Sequence, residues 1–256
     1  MAVQSVDSSS YPSRREAFAA LKSGRLDGLG TVQGVRARGV EPVIATGLPD
    51  LDRLLGGGFP CGSLTVLEGN AGCWSVAARV VARVTQRALA AIVDDGGLYP
   101  PTLARAGARL DRVLIVPARS ALGMARAADI LIRSRSCRVV LTTAPELRPA
   151  VWARLAALAQ RNGVLLVVIA SGSAAAPLAA ASGVRLLCTR ERVMLAGSRG
   201  LWSTVAGYVV RTEVRKSKAR AAGGSACLRA VTNVCGESLR ERTITQRSRS
   251  ARAALR

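Results

Sequence analysis

A chain of 256 residues, 49% of them hydrophobic and only 3% aromatic, is long enough to bury one α/β core and still carry tails. Its 37 Lys and Arg against 16 Asp and Glu leave a net charge of +21, which attracts DNA, RNA, acidic protein or anionic lipid without choosing among them. Histidine is absent, which excludes His-based triads, His general acids and the commoner catalytic zinc sites, so no metal site is expected.

Val, Leu, Ile and Ala supply nearly all the apolar mass, which suits a parallel sheet covered on both faces and not a sandwich or barrel. Cys61, Cys73, Cys137, Cys188, Cys227 and Cys235 form no C-x-x-C pair and read as reduced structural thiols in a cytoplasmic protein. The first residues lack the apolar centre of a signal peptide. The longest aliphatic run, 164–170, is too short to cross a bilayer, so no membrane association is expected.

In chain order, residues 1–43 are polar, basic and Gly-punctuated and read as an arm, with Arg14, Arg15, Lys22, Arg25, Arg36 and Arg38 spread along it. A core is expected over 44–220. It opens on a short helix near Leu51 and the turn Gly56-Gly57-Gly58-Phe59-Pro60-Cys61-Gly62. From Leu64 aliphatic runs alternate with helical patterns: strand 64–67, helix 76–88, strand 89–94, helix 101–108, strand 113–116, helix 121–134, strand 138–141, helix 149–161 and strand 164–170. Such alternation means parallel crossovers. Strands at 184–188, 192–195 and 207–214, with no long helix between them, extend the sheet in antiparallel fashion at its far edge. Beyond 220 basic residues face only Glu237 and Glu241 amid Gly, Ser and Ala, so 221–256 is expected to be a disordered tail.

A phosphate-binding loop belongs between the strand at 64–67 and the following helix. A working loop there needs a glycine for close backbone approach, a lysine for phosphate charge and a hydroxyl for Mg²⁺. Counted from Gly69, those three positions hold Trp74, Ser75 and Val76. Trp74 brings a bulky ring, Ser75 lacks the charge, and Val76 cannot ligate a metal. An ordinary strand-to-helix turn closed by an aromatic plug is expected, with no nucleotide cofactor.

The run TGLPDLDRLLGGGFPCGSLTVLEGNAG, from Thr46 to Gly72, resembles the lead-in to the nucleotide loop of RecA recombinases in the order and spacing of its Gly-rich turn, Pro-x-Gly and strand. The resemblance implies a RecA-like α/β fold, a mostly parallel sheet flanked by helices with antiparallel edge strands at the C-terminal end. It also shows further losses. The family's catalytic carboxylate maps to Gly96, after Asp94-Asp95, and the aspartate ending the Walker B strand maps to Thr142. The two DNA-binding loops shrink to 143–147 and 171–176, with Ser171 at the family's coupling glutamine. Only the edge stretch Arg211-Thr212-Glu213-Val214-Arg215-Lys216-Ser217-Lys218 keeps the family pattern, in which two lysines, here Lys216 and Lys218, reach across a subunit interface.

Shortened RecA relatives that lack an ATP site form the ImuA or SulA-like group, which this sequence resembles in layout, in its lost catalytic residues and in its basic C-terminus. Membership implies a non-catalytic partner of RecA recombinase or translesion polymerase subunits in the DNA-damage response. Lys216, Lys218 and the loop residue Trp202 are the candidate interface, whereas Trp74 and Trp152 read as space-filling. A second reading is a basic DNA-binding accessory acting through the arm and through Arg240, Arg242, Arg247, Arg249, Arg252 and Arg256. A third is an ATPase that holds phosphate on the backbone amides of residues 69–72 alone.

Overall fold

The computed structural model describes residues 43–69, 71–196, 204–218 and 224–231. Residues 1–42 of the arm expected at 1–43, Trp202 and the tail arginines from Arg240 onward lie outside the described residues; Val43 is described and belongs to a strand.

The chain enters on β1 (Val43–Ile44), which pairs antiparallel with β2 (Phe59–Pro60) of the same chain. Between them lies α1 (Pro49–Leu55). Pro49 pre-sets its first turn, and Gly56 ends it in the left-handed conformation, donating to the carbonyls of Arg53 and Asp52. Gly58 follows at φ 139, where a side chain would sit 2.1 Å from the Ile44 carbonyl oxygen. The Gly-rich turn is therefore what lets β2 close onto β1.

The alternating region then folds as β3 (Leu64–Glu68), α2 (Cys73–Thr85), β4 (Leu89–Asp94), α3 (Pro100–Arg105), β5 (Val113–Pro117), α4 (Ala121–Ser134), β6 (Cys137–Thr143), α5 (Pro149–Asn162) and β7 (Leu165–Ala170). These strands are parallel, and β7 is buried at all six positions, as a strand covered on both faces must be. The two long strands β8 (Val184–Ala196) and β9 (Thr204–Ser217) run antiparallel to each other, and β8 joins β3 in parallel. The sheet order is β10-β9-β8-β3-β7-β6-β4-β5, in which β10 is Ser225–Val231.

Two apolar layers enclose the sheet. On one face Val76, Ala77, Val80, Val81 and Val84 of α2 pack with Leu51, Leu55 and Phe59 over Leu67, Ile92 and Val167. On the other, Met124, Leu131 and Ile132 of α4 and Trp152, Leu155 and Leu158 of α5 cover Val66, Val93, Val140 and Val168. Both α4 and α5 bury one stripe at three- and four-residue spacing, the mark of an amphipathic helix on a sheet. Ser120 caps α4 by accepting the Gly123 N–H at 3.1 Å.

Three expectations are corrected. Helix α2 begins at Cys73, three residues before the expected 76 and ahead of Trp74, because the left-handed Gly72 already serves as its N-cap. The stub expected at 171–176 is instead a 3-10 turn over Gly172–Leu178 that buries Ala175 and Leu178. The tail expected from 221 contains β10, which pairs with β9 from Ser225↔Glu213 to Val231↔Gly207. Composition hid this strand. Its Ser-Ala-Cys-Leu-Arg-Ala-Val run is mostly apolar but short, and it sits among Gly, Ser and Arg residues whose composition reads as a tail.

Candidate functional site

In an open parallel sheet ligands bind beyond the carboxyl ends of the strands. Here that end gathers the turn 69–72 after β3, Asp94, Asp95 and Gly96 after β4, Thr142 and Thr143 at the end of β6, and the 3-10 turn after β7.

The glycines described in the turn after β3 are tightly packed. Gly69, at φ 135, lies so close to β8 that a side chain there would stand 2.0 Å from the Cys188 carbonyl oxygen. Gly72, at φ 90, is pressed by the Val210 side chain of β9, whose methyl carbons come within 2.3 and 2.7 Å of where a Cβ would project. Cys73 is buried at the helix start, with its Sγ 3.9 Å from the Gly69 carbonyl oxygen. The Cys188 and Cys73 thiols interact. That interaction chiefly lowers the Cys73 pKa and raises that of Cys188, which burial pushes up further. Both cysteines are free thiols.

Because α2 starts at Cys73, the count from Gly69 changes meaning: Trp74, Ser75 and Val76 sit inside the first helical turn and not in the loop. Trp74 is half-buried and packs on the core under α2, so the ring fills space beside the turn. The residues after the last turn glycine are Cys73 and Trp74. Neither alignment supplies a lysine followed by a hydroxyl, so the residues present do not fit a Mg²⁺-nucleotide.

The acidic positions are likewise committed elsewhere. Asp94 is buried and accepts the N–H groups of Gly96 and Leu98, both at 3.0 Å, which fixes the loop after β4. Asp95 accepts from Gly97 N–H at 3.3 Å and lies 3.5 Å from the Thr143 hydroxyl. Gly96 faces open space, with no heavy atom near the position of its missing side chain. Thr142 is buried and donates to the Thr143 carbonyl at 3.0 Å. At the end of β3, Glu68 accepts from both the Nε and the Nη2 of Arg185, the latter at 2.9 Å, and this contact raises the Arg185 pKa. Glu68 is thus engaged in an ion pair and not directed at a substrate.

The strand order, with β3 between β7 and β8 and the sheet extended by antiparallel strands, has counterparts among solved proteins. The RadB recombinase superposes with a TM-score of 0.57 at 17% identity, covering 73% of this chain and 96% of that one. This chain has the RecA-like fold. At that identity the likeness carries the RecA-like architecture and leaves the activity open. No protein-family model matches the sequence, and no curated protein matches it.

Within the RecA-like frame the two edge lysines part company. Lys216 is half-buried and donates from Nζ to the Ala179 carbonyl at 2.7 Å, inside its own chain. Burial first, then the nearby Lys218 and Arg185, lower its pKa. Lys218 is exposed, held only through its backbone N–H, which donates to the Gly183 carbonyl at 3.0 Å. Cys188 and Val210, which press on the turn glycines, were missed in the sequence. Nothing local marks them, because sheet order alone brings 188 and 210 to 69 and 72.

Proposed function

We propose that this RecA-like chain is a non-catalytic interaction protein of the DNA-damage response, an ImuA-like adaptor in translesion synthesis or a modulator of recombinase filaments. The supporting observation is the turn 69–72. Cys188 and Val210 occupy the space beside its glycines, and its flanks carry neither the lysine nor the hydroxyl that phosphate and Mg²⁺ require. A fold retained without its catalytic groups supports a role in binding. The basic edge at the end of β9 supports docking beside an acidic or phosphate-bearing surface, with Lys218 as the exposed contact and Lys216 as the residue that steadies the segment.

The test is binding of the purified chain to the host recombinase, free and as a nucleotide-bound filament on single-stranded DNA, with Lys218→Ala and a DNA-only control across salt concentrations. Filament-dependent binding that Lys218→Ala weakens supports docking. Binding to bare DNA alone, falling steeply with salt, removes the docking reading and leaves a basic DNA-binding accessory. Nucleotide turnover above background removes the non-catalytic reading.

A further inference from the structure

At the opposite end of the sheet, α4 and α5 finish side by side just before β6 and β7 begin. Their last turns enclose a shallow cleft of about 520 Å³ lined by Arg133, Arg135, Leu158, Arg161 and Asn162. Three arginines thus border one small space.

Arginines at helix ends often serve only to cap carbonyls and oppose the helix dipole. Here other groups cap those carbonyls. In α4 the Ser134 hydroxyl donates to the Leu131 carbonyl at 2.7 Å and the Arg135 N–H to that of Ile132 at 3.3 Å. In α5 the Asn162 side-chain amide donates to the Leu158 carbonyl at 3.0 Å, and the Val164 N–H to that of Ala159 at 3.1 Å. The guanidinium groups of Arg133 and Arg135 are therefore not spent on the helix carbonyls; each uses its Nε on a side chain, Asp129 and Asn162. Asp129, shared between Arg133 and Arg154, neutralises part of the charge at one side.

Arg135 carries a second sign. It is the one non-glycine residue among those described with a positive φ, 55°, at a helix end where glycine is the usual choice. Its Nε donates to the Asn162 side-chain oxygen at 2.6 Å, which ties the two helix ends together and sets the guanidinium plane at the cleft. A left-handed arginine held in this way trades backbone ease for the placing of a planar, bidentate donor.

We propose that this cleft is a phosphate-binding site, taking either successive phosphodiesters of a nucleic-acid strand or a free polyphosphate, with Arg135 and Arg161 as its principal donors and Arg133 in support. It is separate from the altered nucleotide turn, which lies beyond the other end of the strands, and it does not rest on docking to a recombinase. Several guanidinium forks around one cleft suit a ligand carrying several anionic oxygens, which a single carboxylate does not provide.

The experiment uses the full chain and a labelled single-stranded oligonucleotide, followed by anisotropy over a salt series, with inorganic triphosphate titrated separately by calorimetry. The variant is Arg135→Gly/Arg161→Gln. Glycine suits the left-handed backbone at 135, so unfolding does not mimic lost binding. Arg79→Gln/Arg83→Gln, on exposed positions of α2 across the sheet, removes equal charge as the control. The cleft variant is expected to bind the oligonucleotide about tenfold more weakly at low salt, and its log–log salt slope to shrink by about 1.4, while the control stays near wild type. Triphosphate binding lost in the same variant assigns the site to polyphosphate in general, and loss confined to the oligonucleotide assigns it to a nucleic-acid backbone. An unchanged cleft variant, or equal losses in both, overturns the proposal.

Discussion

Gly72 and Val210 show how a single contact restricts which residue the turn after β3 accepts. An alanine at 72 must hold φ 90 and force Val210 aside, so Gly72→Ala is expected to cost about 2–4 kcal/mol in urea unfolding. Val210→Ala alone should cost about 2 kcal/mol for its lost burial. The double variant is expected to fall short of the sum by about 1 kcal/mol, since the smaller side chain makes room. Strict additivity would mean that the two residues do not press on each other. Cys137 gives a pH signature at the same scale. Burial raises its pKa from 9.0 to about 12, so folding favours the neutral thiol. A raised pKa contributes stability that is intact below the unfolded value and lost as pH climbs from about 9 towards about 12. The fall is at most about 1.4 kcal/mol per pH unit for this group. Urea unfolding between about pH 8 and about pH 10.5 should show the decline, and Cys137→Ala should make it shallower while leaving the part that the raised Cys188 contributes.

Among the elements, β10 carries the described core past the boundary expected at 220. It covers the outer edge of β9 from residue 213 to residue 207, and without it a long edge strand would present unpaired N–H and C=O groups. Truncation after Gly224 should therefore lower the melting temperature and bring concentration-dependent light scattering, whereas truncation after Val231 keeps the strand and avoids both. A truncation meant to separate core from basic tail belongs after Val231. The helices α4 and α5 were legible in the sequence because each announces itself twice. Their apolar residues recur at helical spacing, and Ser120 or Pro149 marks the start. The start of α2 was harder to place. Cys73 and Trp74 read equally well as loop, and the left-handed Gly72 that caps the helix is defined by its contact with β9.

For the whole molecule, the sheet is RecA-like while charged residues near both ends of its parallel strands have structural duties. Asp94 holds its own loop, Glu68 pairs with Arg185, and Lys216 binds Ala179. Adding Mg²⁺-ATP at millimolar concentration should leave the melting temperature unchanged, because a ligand stabilises a fold only in proportion to its binding. A rise of several degrees would show that the turn opens to accept nucleotide and would revive the ATPase reading. The net charge of +21 gives any polyanion complex a steep salt dependence, and the arginines between α4 and α5 give that charge one defined place to act.

By itself the sequence determined the alternation of strand and helix, the parallel sheet, the Gly-rich lead-in and the missing lysine and metal hydroxyl. Each of these is written in neighbouring residues, through hydrophobic period, turn chemistry and side-chain type. Tertiary structure alone decided that Cys188 and Val210 press on Gly69 and Gly72, that Lys216 faces inward, that Ser225–Val231 forms a strand, and that Arg133, Arg135 and Arg161 share one cleft. Those facts depend on which strands become neighbours and where two helices end. They join residues as distant in the chain as Gly72 and Val210, a separation over which local propensity and pattern carry no signal.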